Sequence, residues 1–370
     1  MKTWNELIVE MGEELIIEYV PLGVFWSGDW SVPEDGLYAH TTGRDRLELL
    51  RQSTYDTGEV EQDKSLYDLA VDVLSDAGLT VDEYWIDPML ENFIIPYSFF
   101  VSQSHREALR KIAEACVGQV YCDREGIVRV EGPGEGKELW QTETVFGVTP
   151  DEYFRKDNPA KWSEVANYIE VETQPLKPEA MTEVYSSSES VPIAAGQEVV
   201  ITAQYNYVPC IDATASLKNA PTGAQIVKEI YYAGSAEITV SSTASGTFEL
   251  VINAKPLKVQ NKELVVAQDA GSIGENGIMK YTFPGNPLVQ TRQMAQMVAD
   301  TILSFYKDPR RDIEMDWRGN PAIELGDVIA APDHQRGGTI GKWGYFLVTR
   351  QELEYTGALR ARLAGRRVTG

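Results

Sequence analysis

Asp312-Ile313-Glu314-Met315-Asp316-Trp317 alternates polar and apolar residues one by one, and the chain after it keeps returning to that pattern. Gly319-Asn320-Pro321 turns it into Ala322-Ile323-Glu324-Leu325, and Gly326-Asp327 leads into Val328-Ile329-Ala330. Beyond the Gly337-Gly338 loop, Tyr345 to Tyr355 reads as a long strand that Thr356-Gly357 folds back onto Ala358-Leu359-Arg360-Ala361-Arg362-Leu363. Successive side chains of a strand point to opposite faces. Period-two alternation between turn dipeptides therefore predicts half-buried antiparallel strands in a meander or small barrel. With no constellation of His, Cys or Ser on it, the stretch from Arg311 to Arg366 reads as a building block before it reads as an enzyme.

Upstream of it, Asn286 and Pro287 are placed to start a helix as N-cap and first residue. Val289, Met294, Met297, Val298, Leu303 and Phe305 carry that helix, and Pro309 stops it. From about 180 to 280 the composition shifts to Ser, Thr, Val and Ala, with short strands such as Val199-Val200-Ile201-Thr202-Ala203, Ala236-Glu237-Ile238-Thr239-Val240 and Phe248-Glu249-Leu250-Val251-Ile252. This predicts a separate β-sandwich. The strand around Ala166-Asn167-Tyr168-Ile169-Glu170-Val171 lacks a partner nearby, so 180–280 reads as an insertion into a barrel that begins near 160 and finishes after 310.

The earlier chain is mixed. Leu66, Leu69, Ala70, Val73, Leu74 and Ala77 recur at helical spacing between a Ser65 N-cap and Gly78. Ser104-His105-Arg106-Glu107 matches a capping box, Leu109, Ile112, Ala113 and Cys116 form the inner stripe of that helix, and Gly118 closes it. Val120-Tyr121-Cys122 and Ile127-Val128-Arg129-Val130 read as a hairpin, and Gly132-Pro133-Gly134-Glu135-Gly136 as a linker. Residues 1–60 read as strands with irregular links: Leu15 to Val20, the aromatic Gly23 to Trp30, and Tyr38 to Thr42, followed by a turn into a short helix at Gly43 to Leu50. The expected class is α+β, mostly β. The expected units are a first barrel at 1–60, a helical α/β module at 61–150, a second barrel at 151–179 and 281–370, and the sandwich at 180–280.

At 370 residues the chain exceeds one ordinary core. No apolar run is long enough to cross a bilayer, and Glu6, Glu10, Glu13 and Glu14 stand where a signal peptide needs a basic start. Cys116, Cys122 and Cys210 are odd in number and unclustered, which fits a reducing site of synthesis. A net charge of −23 opposes binding to phosphate backbones and anionic membranes.

Candidate chemistry is sparse. His40, His105 and His334 lie in three segments, with His105 at a helix start where exposure is the ordinary outcome. Asp312, Glu314 and Asp316 share a strand face and could shift one another's pKa or hold a hard cation, but a solvated outer face with Ile313, Met315 and Trp317 pointing inward explains the pattern without extra assumptions and is the favoured reading. Asp82, Glu83, Asp87 and Glu91 surround Tyr84-Trp85, which can be drawn as a glycosidase pair beside a stacking aromatic or as ordinary acid-rich connections. Trp26, Trp30 and Trp162 are either a ligand surface or core. No nucleophile elbow, phosphate loop, zinc pair or dinucleotide fingerprint is present. No catalytic, cofactor-binding or metal residue is assigned, and no cofactor is expected.

A resemblance covers about 20 to 175 and 285 to 366. Thr42-Gly43-Arg44-Asp45-Arg46-Leu47-Glu48-Leu49-Leu50 and Gly319-Asn320-Pro321-Ala322-Ile323-Glu324-Leu325-Gly326-Asp327 carry it. Leu22-Gly23-Val24-Phe25 followed by Trp30, Lys64-Ser65-Leu66-Tyr67-Asp68-Leu69-Ala70, and Tyr345 to Gly365 add to it. In these motifs and their order the chain resembles the baseplate or tail-tip hub proteins of tailed bacteriophages and prophage-like elements.

The resemblance implies a non-enzymatic homotrimeric ring at the virion tail tip, synthesised in the host cytoplasm. Two tail-tube-like barrels per subunit would give it pseudo-six-fold symmetry. Its implied partners are the tail tube or distal tail protein and a spike, fibre or tape-measure protein around a DNA exit channel, with no specific nucleic-acid binding and no membrane insertion. In that setting the Asp312, Glu314 and Asp316 face gains a third role, lining or flanking the channel. The first barrel is short for the family: either the chain is truncated or Met1 to Val20 supplies a minimal substitute. The 180–280 unit matches poorly and would be a spacer, a subunit contact or a carbohydrate-binding decoration. The alternative function is a cell-wall saccharide-binding adhesin acting through that unit. A tail-associated peptidoglycan hydrolase would need a lytic domain, and none is recognisable.

Overall fold

The computed structural model describes residues 6–11, 14–34, 36, 38–133, 146–149, 151–159, 161–309, 312–332 and 343–368. Gly134, Glu135 and Gly136 of the expected linker, the Gly337-Gly338 loop and His334 lie outside these.

The C-terminal strands join one six-stranded sheet. Its order is Phe146–Gly147, Val328–Pro332, Trp343–Tyr355, Leu359–Arg367, Ile313–Trp317, Tyr153–Asp157. The two edge strands are joined through 148–152, so the sheet has to curl until its edges approach, giving a half-barrel. Arg318 N–H donates to Glu152 O at 2.8 Å and Val148 N–H to Ala330 O at 2.8 Å, pinning both ends of that joining turn. Alternation works as expected: Ile313, Met315 and Trp317 are buried with Ile329, Phe346, Val348 and Leu363, while Glu314 faces out. Ala322-Ile323-Glu324-Leu325, expected as a strand, is a pair of turns that still buries Ile323.

Tyr168–Glu172 does not pair with that sheet. It lies between Leu264–Gln268, antiparallel, and Lys280–Thr282, parallel, in a sheet of its own. What separates the two parts of the half-barrel is therefore the whole of 158–312, and the Ser/Thr-rich unit is nested inside that piece. Ile169, Val171, Val265 and Ala267 are buried against a helix, Arg292–Tyr306, through its Met294, Val298 and Ile302. This helix starts five residues after the expected place. Thr291 is its N-cap, accepting from Met294 N–H at 3.2 Å, whereas Asn286 caps a turn by accepting from Leu288 N–H at 2.9 Å and donates to Lys111 O at 2.8 Å.

The helices earlier in the chain share this core and do not form one of their own. Leu50, Leu66, Leu69, Val73, Leu74, Leu109 and Ile112 belong to the same buried cluster as Ile169, Val171, Val298 and Ile302. We label these earlier helices α1 (Arg46–Gln52), α2 (Leu66–Asp76) and α3 (His105–Ala115). Ser65 caps α2 in a full capping box with Asp68. Ser104 caps α3 by accepting from Glu107 N–H at 3.2 Å, but the Glu107 carboxylate turns away to Arg110, so the reciprocal half of that box is missing. The expected hairpin forms between Gln119–Cys122 and Val128–Glu131.

The nested unit is smaller than expected. Its strands run from Leu176–Pro178 to Gly246–Val259, in two sheets that share one core of Val184, Ile193, Ala203, Ile238, Val240, Phe248, Leu250 and Ile252.

Residues 1–60, expected as a first barrel, contain three separate pairings among the described residues: the hairpin Glu6–Met11 with Glu14–Tyr19, the ladder Trp26–Ser27 with Gly43–Arg44, and a single bridge of Ser31 with His40; Thr54–Tyr55 pairs later in the chain, with Gln103–Ser104. Too few backbone groups are paired there to close a sheet.

Candidate functional site

His105 is the residue whose placement departs furthest from expectation. It begins α3 yet is only 2% exposed, because α1 and α2 close over it. Its Nδ1 lies 2.8 Å from Ser53 Oγ, its Nε2 lies 2.9 Å from Asp76 Oδ2, and the Tyr55 ring packs beside it at 5.5 Å between centroids. A Ser, a His and an Asp in hydrogen-bonded series invite comparison with a nucleophilic triad. The rest of the geometry argues for a joint. Asp76, which in a triad is the buried member, is 55% exposed at its side chain, while the imidazole that must meet substrate is enclosed. The backbone N–H groups of Ser53 and His105 are spent on Leu49 O and Ser53 O, so neither can serve an oxyanion. Ser53 Oγ also donates to Leu49 O at 3.1 Å, which ties the end of α1 to the start of α3.

The acidic group around Tyr84-Trp85 is dispersed into separate structural tasks. Asp87 is buried and accepts from Met89 N–H at 2.8 Å and Gly132 N–H at 3.0 Å. Glu83 accepts from Thr80 N–H at 2.9 Å and pairs with Arg46 at 2.7 Å. The Thr80 N–H, with Arg46 beside it, holds the Glu83 carboxyl down at about 2, well below its ordinary 4.5. Asp82 and Glu91 are exposed, and Trp85 stacks under Arg129 at 5.5 Å.

One prediction follows from Glu83. A carboxyl that titrates lower when folded contributes stability fully above the unfolded value and loses it as pH falls towards the folded one. Glu83→Gln is therefore expected to lower the melting temperature at pH 7 and to flatten its decline between pH 4.5 and about 2. Thermal unfolding of the two proteins across that range checks it; parallel curves would contradict it.

Glu314 and Asp316 sit on the Ile313–Trp317 strand with Asp312 just before it, and nearby cations answer the charge of the two strand carboxylates. Lys161 Nζ is 3.8 Å from Glu314 and Arg362 Nε is 3.5 Å from Asp316. The register places Arg155, Asp316, Arg362 and Glu352 side by side across four strands, so signs alternate in a row. Opposite charges facing each other across a sheet are mildly stabilising and leave no crowded carboxylates to hold a cation. Among the described residues no group of three His, Cys, Asp or Glu is placed to hold a metal ion. His40 is exposed at its bridge with Ser31. Cys116 and Cys210 are buried, which pushes their thiols up to about 12 and about 11, and Cys122 is half-buried; all three are free.

Trp26, Trp30 and Trp162 do not belong to the buried core. Trp30 and Trp162 are exposed on separate elements, and the Trp26 ring lies under the Arg46 guanidinium at 5.4 Å. Sequence reasoning missed the patch that Trp30 belongs to: Phe25, Trp30, Val32 and Tyr38 are each more than half exposed within 20–44. It also missed Arg124, which binds parts of the chain far apart in sequence. A charged residue in an Asp-Arg-Glu-Gly turn carries no signal of that.

The architecture is thus a strand-rich α+β protein with no assembled catalytic or metal centre among the described residues. Among the described residues, too, no helix is long and apolar enough to cross a membrane. The fold is similar to two solved structures. One is the prophage MuSo2 43 kDa tail protein from Shewanella oneidensis, with a TM-score of 0.47 and 12% identity over 99% of this chain and 84% of that one. The other is the tail protein from Neisseria meningitidis MC58, with a TM-score of 0.49 and 9% identity over 96% of this chain and 81% of that one. No family model and no curated protein sequence matches the chain.

Proposed function

We propose that the chain is a structural hub of a phage tail tip. It assembles as a homotrimeric ring that adapts a hexameric tail tube to a trimeric spike or fibre and surrounds the DNA exit channel. What supports this reading is the curled six-stranded half-barrel built from strands within 146–157 and 313–367, the stretch that carries the hub-like motifs Gly319 to Asp327 and Tyr345 to Gly365.

Two features support it. Exposed apolar side chains suit interaction surfaces, and Phe25, Trp30, Val32 and Tyr38 supply four within 20–44, a stretch that also holds the short ladder of Trp26–Ser27 with Gly43–Arg44. A lumen that DNA crosses has to avoid gripping phosphate, which the net charge of −23 provides through long-range repulsion. The Glu314 and Asp316 face adds little to that repulsion, because it is already paired with Lys161 and Arg362.

The saccharide-binding alternative calls for an aromatic platform at the free end of the nested unit. That end is built from 194–197, 219–223 and 243–246, which hold Ala, Gly, Gln, Asn, Pro, Thr and Ser. Of its five tyrosines, Tyr205, Tyr207, Tyr231 and Tyr232 gather towards the opposite end, and Tyr185 lies mid-strand opposite Ile252. The hub reading is tested by negative-stain imaging and by co-purification with tail-tube protein. Three-fold rings are expected, and a stable monomer under assembly conditions would overturn it.

A further inference from the structure

We propose that the 176–260 unit is a hinged arm, held against the body by a single latch at Gly58. The inference stands on contacts within one chain and does not depend on the tail-tip reading.

The arm joins the body through two passes of chain. The outgoing pass runs from Tyr168–Glu172 into Leu176–Pro178, and the returning pass from Gly246–Val259 into Leu264–Gln268. Both pairs of strands are laddered, but the ladder is broken between them. Pro175 has no N–H to give, and Asn261 takes a left-handed backbone at φ 55°. Three bonds from backbone N–H groups remain in the gap, Thr173 N–H to Glu263 O at 2.9 Å, Glu263 N–H to Thr173 Oγ1 at 2.9 Å and Gln260 N–H to Pro175 O at 3.0 Å, with one exposed ion pair, Lys262 Nζ to Glu172 at 3.0 Å, beside them. Gln174 N–H is fixed to Val289 O on the body at 2.7 Å, so the pivot lies just beyond it.

Arm and body bury separate cores. None of the buried residues around Phe248 comes from outside the unit, and none of those around Leu69 and Ile169 comes from within it. Outside the neck, one hydrogen bond joins them among the described residues: Ala233 N–H donates to Gly58 O at 2.8 Å. The Tyr232 ring lies over Gly58 so closely that a Cβ there would come within 3.3 Å of its Cδ1.

Both sides of the latch are firmly built. On the body, Thr57 Oγ1 accepts from Phe100 N–H at 2.9 Å. On the arm, the 232–234 turn is held by Cys210 N–H to Ala233 O at 2.7 Å and Tyr205 N–H to Gly234 O at 2.9 Å. Breaking the latch therefore means lifting the whole arm, not fraying a loop. A thin polar contact between units with their own cores makes relative motion the default. Lifting the arm frees its neck end, where Tyr207, Val208 and Tyr232 already stand partly exposed.

Residue-resolved amide exchange on the full chain tests this, because the Ala233 amide has its partner on the body. Its exchange is expected to be at least about tenfold faster than that of the protected amides of Ser235–Ser242, which open only when the arm itself unfolds. Gly58→Glu, which forces bulk and charge under Tyr232, is expected to speed Ala233 exchange by about fivefold, the worth of one net hydrogen bond, and to leave Ser235–Ser242 unchanged. Tyr232→Ala, made on the arm side, gives the same acceleration if Gly58→Glu disturbs the body. Ala233 protected as well as that strand and indifferent to both variants would overturn the proposal. So would acceleration that spreads equally through the strand, since that is unfolding of the arm.

Discussion

Phe248→Ala is expected to make the 176–260 unit melt well before the rest of the chain, splitting thermal denaturation into two transitions. Phe248 is fully buried in the Gly246–Val259 strand, where it packs among Val184, Ile238, Val240 and Leu250 between the two sheets. Removing a buried phenyl ring loses its transfer free energy and leaves a cavity, together about 3–5 kcal/mol. A small domain of this kind holds a margin of about 5–10 kcal/mol, so the loss takes roughly half of it and brings its melting well below that of the body. No residue of this core belongs to the body, so the damage stays local. Calorimetry should show an early transition of the arm followed by one near the native temperature. One cooperative transition shifted as a whole would mean that the two cores are energetically one.

The same separation marks how much could be read from sequence. Composition and alternation located the nested unit and its strands, because β-branched residues at period two carry their own signal. Its edges were misplaced: Leu264–Gln268 and Lys280–Thr282 alternate in the same way but pair with Tyr168–Glu172. Periodicity says which side of a strand is buried and is silent about the partner. The partner here is set by the Arg292–Tyr306 helix, which needs a sheet to cover. That single ambiguity moved Tyr168–Glu172 into the wrong sheet.

Caps and turns were legible where one residue type has one use. Ser65 and Ser104 both cap, as their spacing implied. Gly118 closes the α3 helix as expected, but the left-handed residue at that end is Val117, at φ 61°. Gly118 is needed for a different reason, since a Cβ there would come within 2.0 Å of Glu131 O. A place at a helix start predicts an exposed His105, and what buries it are α1 and α2, packed from elsewhere in the chain. Roles that depend on long-range packing leave no local trace.

Arg124→Ala is expected to destabilise the chain by about 2–4 kcal/mol and to loosen the half-barrel from the helical body. Arg124 sits in the turn between Gln119–Cys122 and Val128–Glu131, with its side chain 12% exposed. Its guanidinium donates to Pro321 O and Ile323 O in the turns leading to Val328–Pro332, to Gln351 Oε1 at 3.3 Å, and to Pro21 O at 3.2 Å. Glu324 lies 3.8 Å away, its carboxyl raised by burial and pulled back down by this same cation. One planar fork thus holds three stretches of chain that share no strand ladder. Truncation leaves two carbonyls without their donor, which carries most of the cost, and removes the counter-charge of the half-exposed Glu324 carboxyl, which adds little. Arg124→Lys is the sharper test. It keeps the charge, but a single ammonium cannot reach acceptors spread around a fork, so it should recover less than half of the lost stability. Chemical denaturation of the three proteins decides it. Full recovery by lysine would mean that charge alone holds the half-barrel in place, and an unchanged midpoint in Arg124→Ala would mean that these bonds carry no load.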